Sequence, residues 1–184
     1  MVEAVLADAG VQRLSSLASV LQPGSCTLVG RLVKDLYGVN ARLWDAEDLT
    51  RDVRDDSSVA AVKRSIDRLN LERNVLIEQI DGVLSLDLKT DTRTAATADT
   101  PMHTETIGSV IDRLTILALR LTHTRTASAD DPSLAERVAH LELQYTGLED
   151  ALAALIHEVS SGMRQLPDGR RFKLYGTQHM EPRH

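Results

Sequence analysis

The stretch Gly30-Arg31-Leu32-Val33-Lys34-Asp35-Leu36 is met again, without a gap, as Gly108-Ser109-Val110-Ile111-Asp112-Arg113-Leu114. The two copies run on in step, to Arg42-Leu43-Trp44 in the first and Arg120-Leu121-Thr122 in the second. Each is preceded at the same offset by a proline, Pro23 or Pro101. A second pair of segments, Asp56-Ser57-Ser58-Val59-Ala60 and Asp131-Pro132-Ser133-Leu134-Ala135, matches at nearly the same spacing. Apolar residues in both copies fall three and four apart, which is one face of a helix. The chain therefore reads as an internal repeat of two helical hairpins.

Outward from this stretch, a helix over 27–50 carries the stripe Val29, Leu32, Val33, Leu36, Val39 and Leu43. A short acidic turn leads to a helix over 57–84, with Asp56 as the expected N-cap. Its stripe is Val59, Val62, Ile66, Leu69, Leu76, Ile77, Ile80 and Leu84. The second hairpin comprises helices over 105–125 and 131–159, the latter opened by Asp131-Pro132, a cap followed by proline in the first turn. Short turns make each pair antiparallel. Residues 1–22 predict an amphipathic N-terminal helix carrying Leu6, Leu14, Leu17 and Leu21. Residues 85–103 lack periodicity and predict a flexible linker, and 161–184 form a C-terminal tail, basic toward its end. The expected fold is all-α: a single domain over 1–184, with hairpins at 23–84 and 104–160.

Composition agrees. Aromatics are only 3% of 184 residues, so the core must be built from Leu, Val, Ile and Ala, which favours helices over a β-sandwich. A net charge of −6 argues against nucleic acid and anionic membranes as partners. Cys26 is the only cysteine, so no intrachain disulfide can form. No run approaches the roughly 18 apolar residues that span a bilayer.

Gly30 and Gly108 fall inside predicted helices, where glycine costs about 1 kcal/mol relative to alanine. A matched pair suggests close helix contact at both points; frayed helix starts would explain it equally. The helix over 105–125 is apolar nearly all round, with Val110, Leu114, Leu117 and Leu121 on one side and Ile116 and Leu119 on the other. It is either central, covered by the N-terminal helix, or half of a homo-oligomer interface. Asp112 and His123 share its second side.

Some polar residues stand where apolar ones belong. Projected at about 100° per residue, Asn40 and Glu47 fall in the first stripe with Leu36 and Leu43, and Trp44 lies on its flank. Arg73 falls among Ile66, Leu69 and Ile77, with Asn70 and Lys63 beside it and Asn74 nearer the edge. An antiparallel pairing about Asp55 sets Glu47 across from Lys63 and Asn40 across from Asn70. The expectation is a Glu47–Lys63 ion pair and a cluster of Asn40, Asn70 and Arg73. In the second hairpin the aligned positions are Ala118, Arg125, Val138, Tyr145 and Leu148. The architecture does not require polarity there, yet the first hairpin keeps it. Either these groups hold the helices in register or they bind something. In the second case Arg73 and Lys63 suit an anion, Asn40 and Asn70 orient a polar ligand, and Trp44 could stack on a ring.

Asp45-x-x-Asp48 and Glu78-x-x-Asp81 have the spacing of paired acidic motifs in all-α Mg²⁺-dependent nucleotide pyrophosphohydrolases. In this hairpin the two motifs lie about 22 Å apart, so one metal cluster cannot use both, and no metal site is assigned. The histidines fit no zinc spacing; His123 and His140 are expected on the surface near the second turn. No phosphate loop or nucleophile elbow is present.

Three segments resemble the bacterial family known as domain of unknown function 4254. They are Asn40-x-x-Leu43-Trp44-x-x-Glu47-Asp48, Lys63-Arg64-x-Ile66-Asp67-Arg68-x-Asn70-x-x-Arg73-Asn74, and Thr106-Ile107-Gly108-x-x-Ile111-Asp112-Arg113-Leu114-Thr115-Ile116. The tail Lys173-Leu174-Tyr175-Gly176 is similar too, so the resemblance runs from Asn40 to Tyr175. The family pattern has a Trp-His pair where this chain has Thr122-His123. The resemblance implies a bacterial, cytoplasmic protein and brings no reaction, cofactor or catalytic residue. The expected function is recognition of a polar or anionic small molecule by the first hairpin, with catalysis left open. The alternatives are a non-catalytic assembly or scaffold protein and a pyrophosphohydrolase-like enzyme.

Overall fold

The computed structural model describes residues 23–88, 97 and 99–167. Helix α1 spans Pro23–Asp52, α2 Asp56–Leu88, α3 Ile107–Ser128 and α4 Ala135–Ser160, with a 3-10 turn at Pro132–Leu134 before α4. The architecture is the expected all-α bundle, and α1 pairs with α2 as α3 pairs with α4. The expected N-terminal helix over 1–22 and the tail beyond Pro167 lie outside the described residues, as do 89–96 and 98 of the linker.

Local chemistry sets the helix ends. Asp55, not Asp56, caps α2, because its Oδ1 accepts the Ser58 N–H at 2.9 Å. Asp56 is then the first helical residue, where a carboxylate still faces the positive end of the helix dipole. Thr106 caps α3 by accepting the Ser109 N–H at 3.2 Å. Asp131 accepts from both the N–H and the hydroxyl of Ser133, at 3.0 and 2.6 Å, and Pro132 follows as expected. Helix α4 ends in a Schellman motif: Met163 N–H donates to the Glu158 carbonyl, Gly162 N–H donates to Val159, and Gly162 holds φ at 74°. Helix α2 continues through residues 85–88, which the loss of periodicity assigns to the linker. The segment before α3 is fastened to the segment after α4. His103 N–H donates to the Gln165 carbonyl and Gln165 N–H donates to that of Pro101. Pro101 therefore begins no helix, and its match to Pro23 has no common structural role.

The Ser133 hydroxyl and N–H hold the Asp131 carboxyl below its ordinary range, and the Ser58 side chain and N–H do the same for Asp55. Depressed carboxyls contribute stability that is present above the unfolded pKa of about 4 and lost as pH falls through the lower folded value. Replacing both with asparagine, which caps without titrating, is expected to flatten the acid side of a plot of Tm against pH. An unchanged acid side would show that these caps do not govern it.

All six residues of the α1 stripe are buried. On α2, Val59 is exposed because the first turn lies short of the core, which begins at Val62. The main core joins Leu36, Ile80, Leu84, Ile107, Ile111 and Ile156, so all four helices share it. Helix α3 touches α1, α2 and α4, and its Val110, Ile111, Leu114, Leu119 and Leu121 are buried within the chain. Among the described helices it is the central one. Among the described residues no helix is long and apolar enough to cross a membrane.

The two matched glycines have different surroundings. Among the described residues a Cβ on Gly30 would meet nothing within 4 Å, whereas one on Gly108 would lie 2.7 Å from the Ile77 carbonyl oxygen and 2.8 Å from Asp81 Oδ1. Close helix contact holds at Gly108 only. There α3 starts directly against α2, and the Gly108 N–H donates to Asp81 Oδ1 at 2.6 Å.

Candidate functional site

The polar residues of the first hairpin do turn inward, but they meet α3 rather than one another. Asn40, on α1, is 4% exposed. Its Nδ2 donates to Asp112 Oδ1 at 2.9 Å and to the Thr115 hydroxyl at 2.8 Å. Arg73, on α2, grips the same carboxylate from the other side: Nε donates to Oδ1 at 2.8 Å and Nη2 to Oδ2. The Thr115 hydroxyl in turn donates to the Asp112 carbonyl at 2.7 Å. Asp112 is 4% exposed and Arg73 is part-buried, so this is an ion pair at the edge of the core with two-pronged geometry, in which each oxygen of the carboxylate has a donor. The hydrogen bond to Asp112 pushes the Arg73 pKa up, against the opposing effect of burial, and keeps the guanidinium charged. One node thus ties three helices together.

The helix period explains the convergence. Asn40 lies one turn past Leu36 on the buried side of α1, and Arg73 lies one turn from Leu69 and Ile77 on α2. Asp112 and Thr115 lie between Ile111, Leu114 and Leu119 on α3. The aligned positions in the second hairpin, Ala118 and Leu148, pack on the apolar core instead.

Above this node opens a cleft of about 320 Å³ between α1, α2 and α3. Asn40, Asn70 and Arg73 line it, with Leu43, Ile116 and Leu119 as its apolar wall. Trp44, Glu47, Asp48, Arg51 and Arg120 complete the lining. Arg51 is paired with Asp48 at 3.2 Å. Five of the seven residues expected at a site therefore share one cleft: Asn40, Trp44, Glu47, Asn70 and Arg73. Lys63 and Asn74 do not line it. The expected Glu47–Lys63 ion pair is absent, both side chains being exposed, and Asn40 bonds to α3 rather than to Asn70.

Trp44 already has a ring partner within the chain. The His123 imidazole stacks on it, with centroids 4.6 Å apart and planes within 4°. His123 thus turns toward α1, while His140 pairs with the Gln144 amide at 2.9 Å. Beside this contact, burial pushes the Tyr37 phenol up, with a hydrogen bond to Thr122 opposing it.

Sequence reasoning missed Asp112, Thr115, Arg120 and His123 as members of the site. The one available signal was chemical: Asp112 is an acid inside a helix otherwise apolar nearly all round. The paired acidic motifs do not converge, since Asp48 lines the cleft whereas Asp81 receives the N–H at the start of α3. Among the described residues no three His, Cys, Asp or Glu side chains form a metal-sized cluster.

No curated protein and no solved structure matches the chain. The three segments that form the node and the cleft fall inside residues 30–167, which match the model of the family described as Protein of unknown function (DUF4254), and the chain belongs to that family.

Proposed function

We propose that the chain binds a small polar molecule in the cleft between α1, α2 and α3. One observation carries this reading: several polar groups lining a single cleft have unused hydrogen-bonding capacity. Among the described residues, the Asn70 amide, the Asn40 amide oxygen, Arg73 Nη1 and the Arg120 guanidinium have no hydrogen-bond or ion-pair partner. The neighbouring apolar wall and the cleft's volume suit a small organic ligand, for which pockets of about 300–1,000 Å³ are usual. Arg73 and Asn40 are already oriented by Asp112, so a ligand would meet donors and acceptors held in place before it arrives.

Trp44 is the only tryptophan, so its fluorescence reports on this cleft alone. A panel of small polar metabolites, followed by Trp44 emission and by Tm, is expected to yield a ligand. At a hundred times its Kd, that ligand should stabilise the fold by about 2.7 kcal/mol. Asn70→Ala and Arg120→Ala are expected to leave Tm within a few degrees and weaken binding about tenfold or more. No change in emission or Tm across the panel, or binding indifferent to both substitutions, would overturn the proposal.

A purely structural reading is favoured by a different observation. Among the described residues every buried side-chain polar atom has a partner, as a network specifying helix register requires. The two readings concern different atoms: the node beneath the cleft is satisfied, and the cleft lining is not.

A further inference from the structure

The charges around the cleft do not add up to an anion site. Arg73 is neutralised by Asp112, and Arg51 is paired with Asp48 on its own helix. Two charges of the lining remain without an ion-pair partner among the described residues: Glu47 on α1 and Arg120 on α3. They have opposite signs and stand on different helices of one cleft. A purely anionic ligand would gain Arg120 but would bring its charge beside Glu47, and a purely cationic one would meet the converse penalty.

We infer that the molecule the cleft takes is a zwitterion of the amino-acid class, with its carboxylate on Arg120, its ammonium on Glu47 and an apolar body against Leu43, Ile116 and Leu119. This inference rests on the cleft being a binding site. The Asn40 amide oxygen, Arg73 Nη1 and the Asn70 amide, which line the same cleft, are the further groups free to bond its polar ends. A ligand with both charges replaces the water on both unpaired groups together, which neither half alone can do.

The experiment compares L-leucine and L-phenylalanine with their N-acetyl forms, which lack the ammonium, and with their amides, which lack the carboxylate. Binding is read by calorimetry and Trp44 emission on the full chain. The expected result is that a free amino acid binds and that either capped form binds at least tenfold more weakly. Glu47→Gln should remove the discrimination against the N-acetyl form, and Arg120→Gln that against the amide. Both side chains are exposed, so the variants should keep the parent Tm. An N-acetyl form that binds as well as the free amino acid, and is lost in Arg120→Gln, overturns the zwitterion and leaves the cleft an anion site. No binding by any of the six compounds also overturns the zwitterion, while the broader panel above still decides whether the cleft binds anything. Binding unchanged in both variants overturns the zwitterion and the cleft alike.

Discussion

Asp112→Ala is expected to be the most damaging single substitution in this chain, lowering stability by about 3–5 kcal/mol. At roughly 2–4 °C per kcal/mol for a chain of this length, Tm should fall by roughly 6–20 °C. The loss does not come from the attraction alone. Removing the carboxylate takes one of the two acceptors from the buried Asn40 amide and leaves the part-buried Arg73 guanidinium without its counter-charge. The cost of an uncompensated charge exceeds the net worth of the pair. The double variant Arg73→Met/Asp112→Leu removes both charges and keeps volume, and it is expected to be more stable than Asp112→Ala by at least about 1–2 kcal/mol. Denaturant unfolding of the parent, Arg73→Met, Asp112→Leu and the double variant supplies the cycle. If Asp112→Ala melts within about 2 °C of the parent, the node does not hold α3 to the first hairpin.

Gly108→Ala is expected to cost about 2–4 kcal/mol, from overpacking and from the strained or lost bond to Asp81. The neighbours of the added methyl include the Ile77 carbonyl, which is backbone and cannot swing aside. The start of α3 would have to move off α2. Gly30→Ala is the control, because open space surrounds that position and helix propensity should return up to about 1 kcal/mol. The pair therefore moves Tm in opposite directions. Parallel effects on Tm would mean that helix propensity, not the contact with α2, decides both positions.

These two expectations mark where sequence reading succeeds and where it stops. The α1 stripe from Val29 to Leu43 and most of the α2 stripe from Val62 to Leu84 are local patterns, and the structure buries them as their periodicity requires. Asn40 and Arg73 are legible as polar residues on buried faces for the same reason. Their partners are not legible. A helical projection assigns a side but does not say which helix covers it. Pairing within the hairpin set Asn40 against Asn70, whereas α3 lies over both helices and supplies Asp112 to Asn40 and Arg73 together. Glu47 and Lys63 failed as a pair for a related reason. Both are exposed near the turn of the hairpin, where water screens charges and leaves little to hold two long side chains in one geometry.

By itself the sequence determined that the chain is helical, that its helices pair in order, and which faces turn inward. Those properties follow from the 3.6-residue period and the cap at Asp131, which are local, and from the scarcity of aromatic residues. Tertiary structure alone decided that α3 is the central helix, that Gly108 and not Gly30 is a point of close approach, and that the cleft lies between the first hairpin and α3. Each of these depends on how two hairpins sit together, and that is set by the summed packing of residues far apart in sequence, as in the bond from Asn40 to Thr115, 75 positions away.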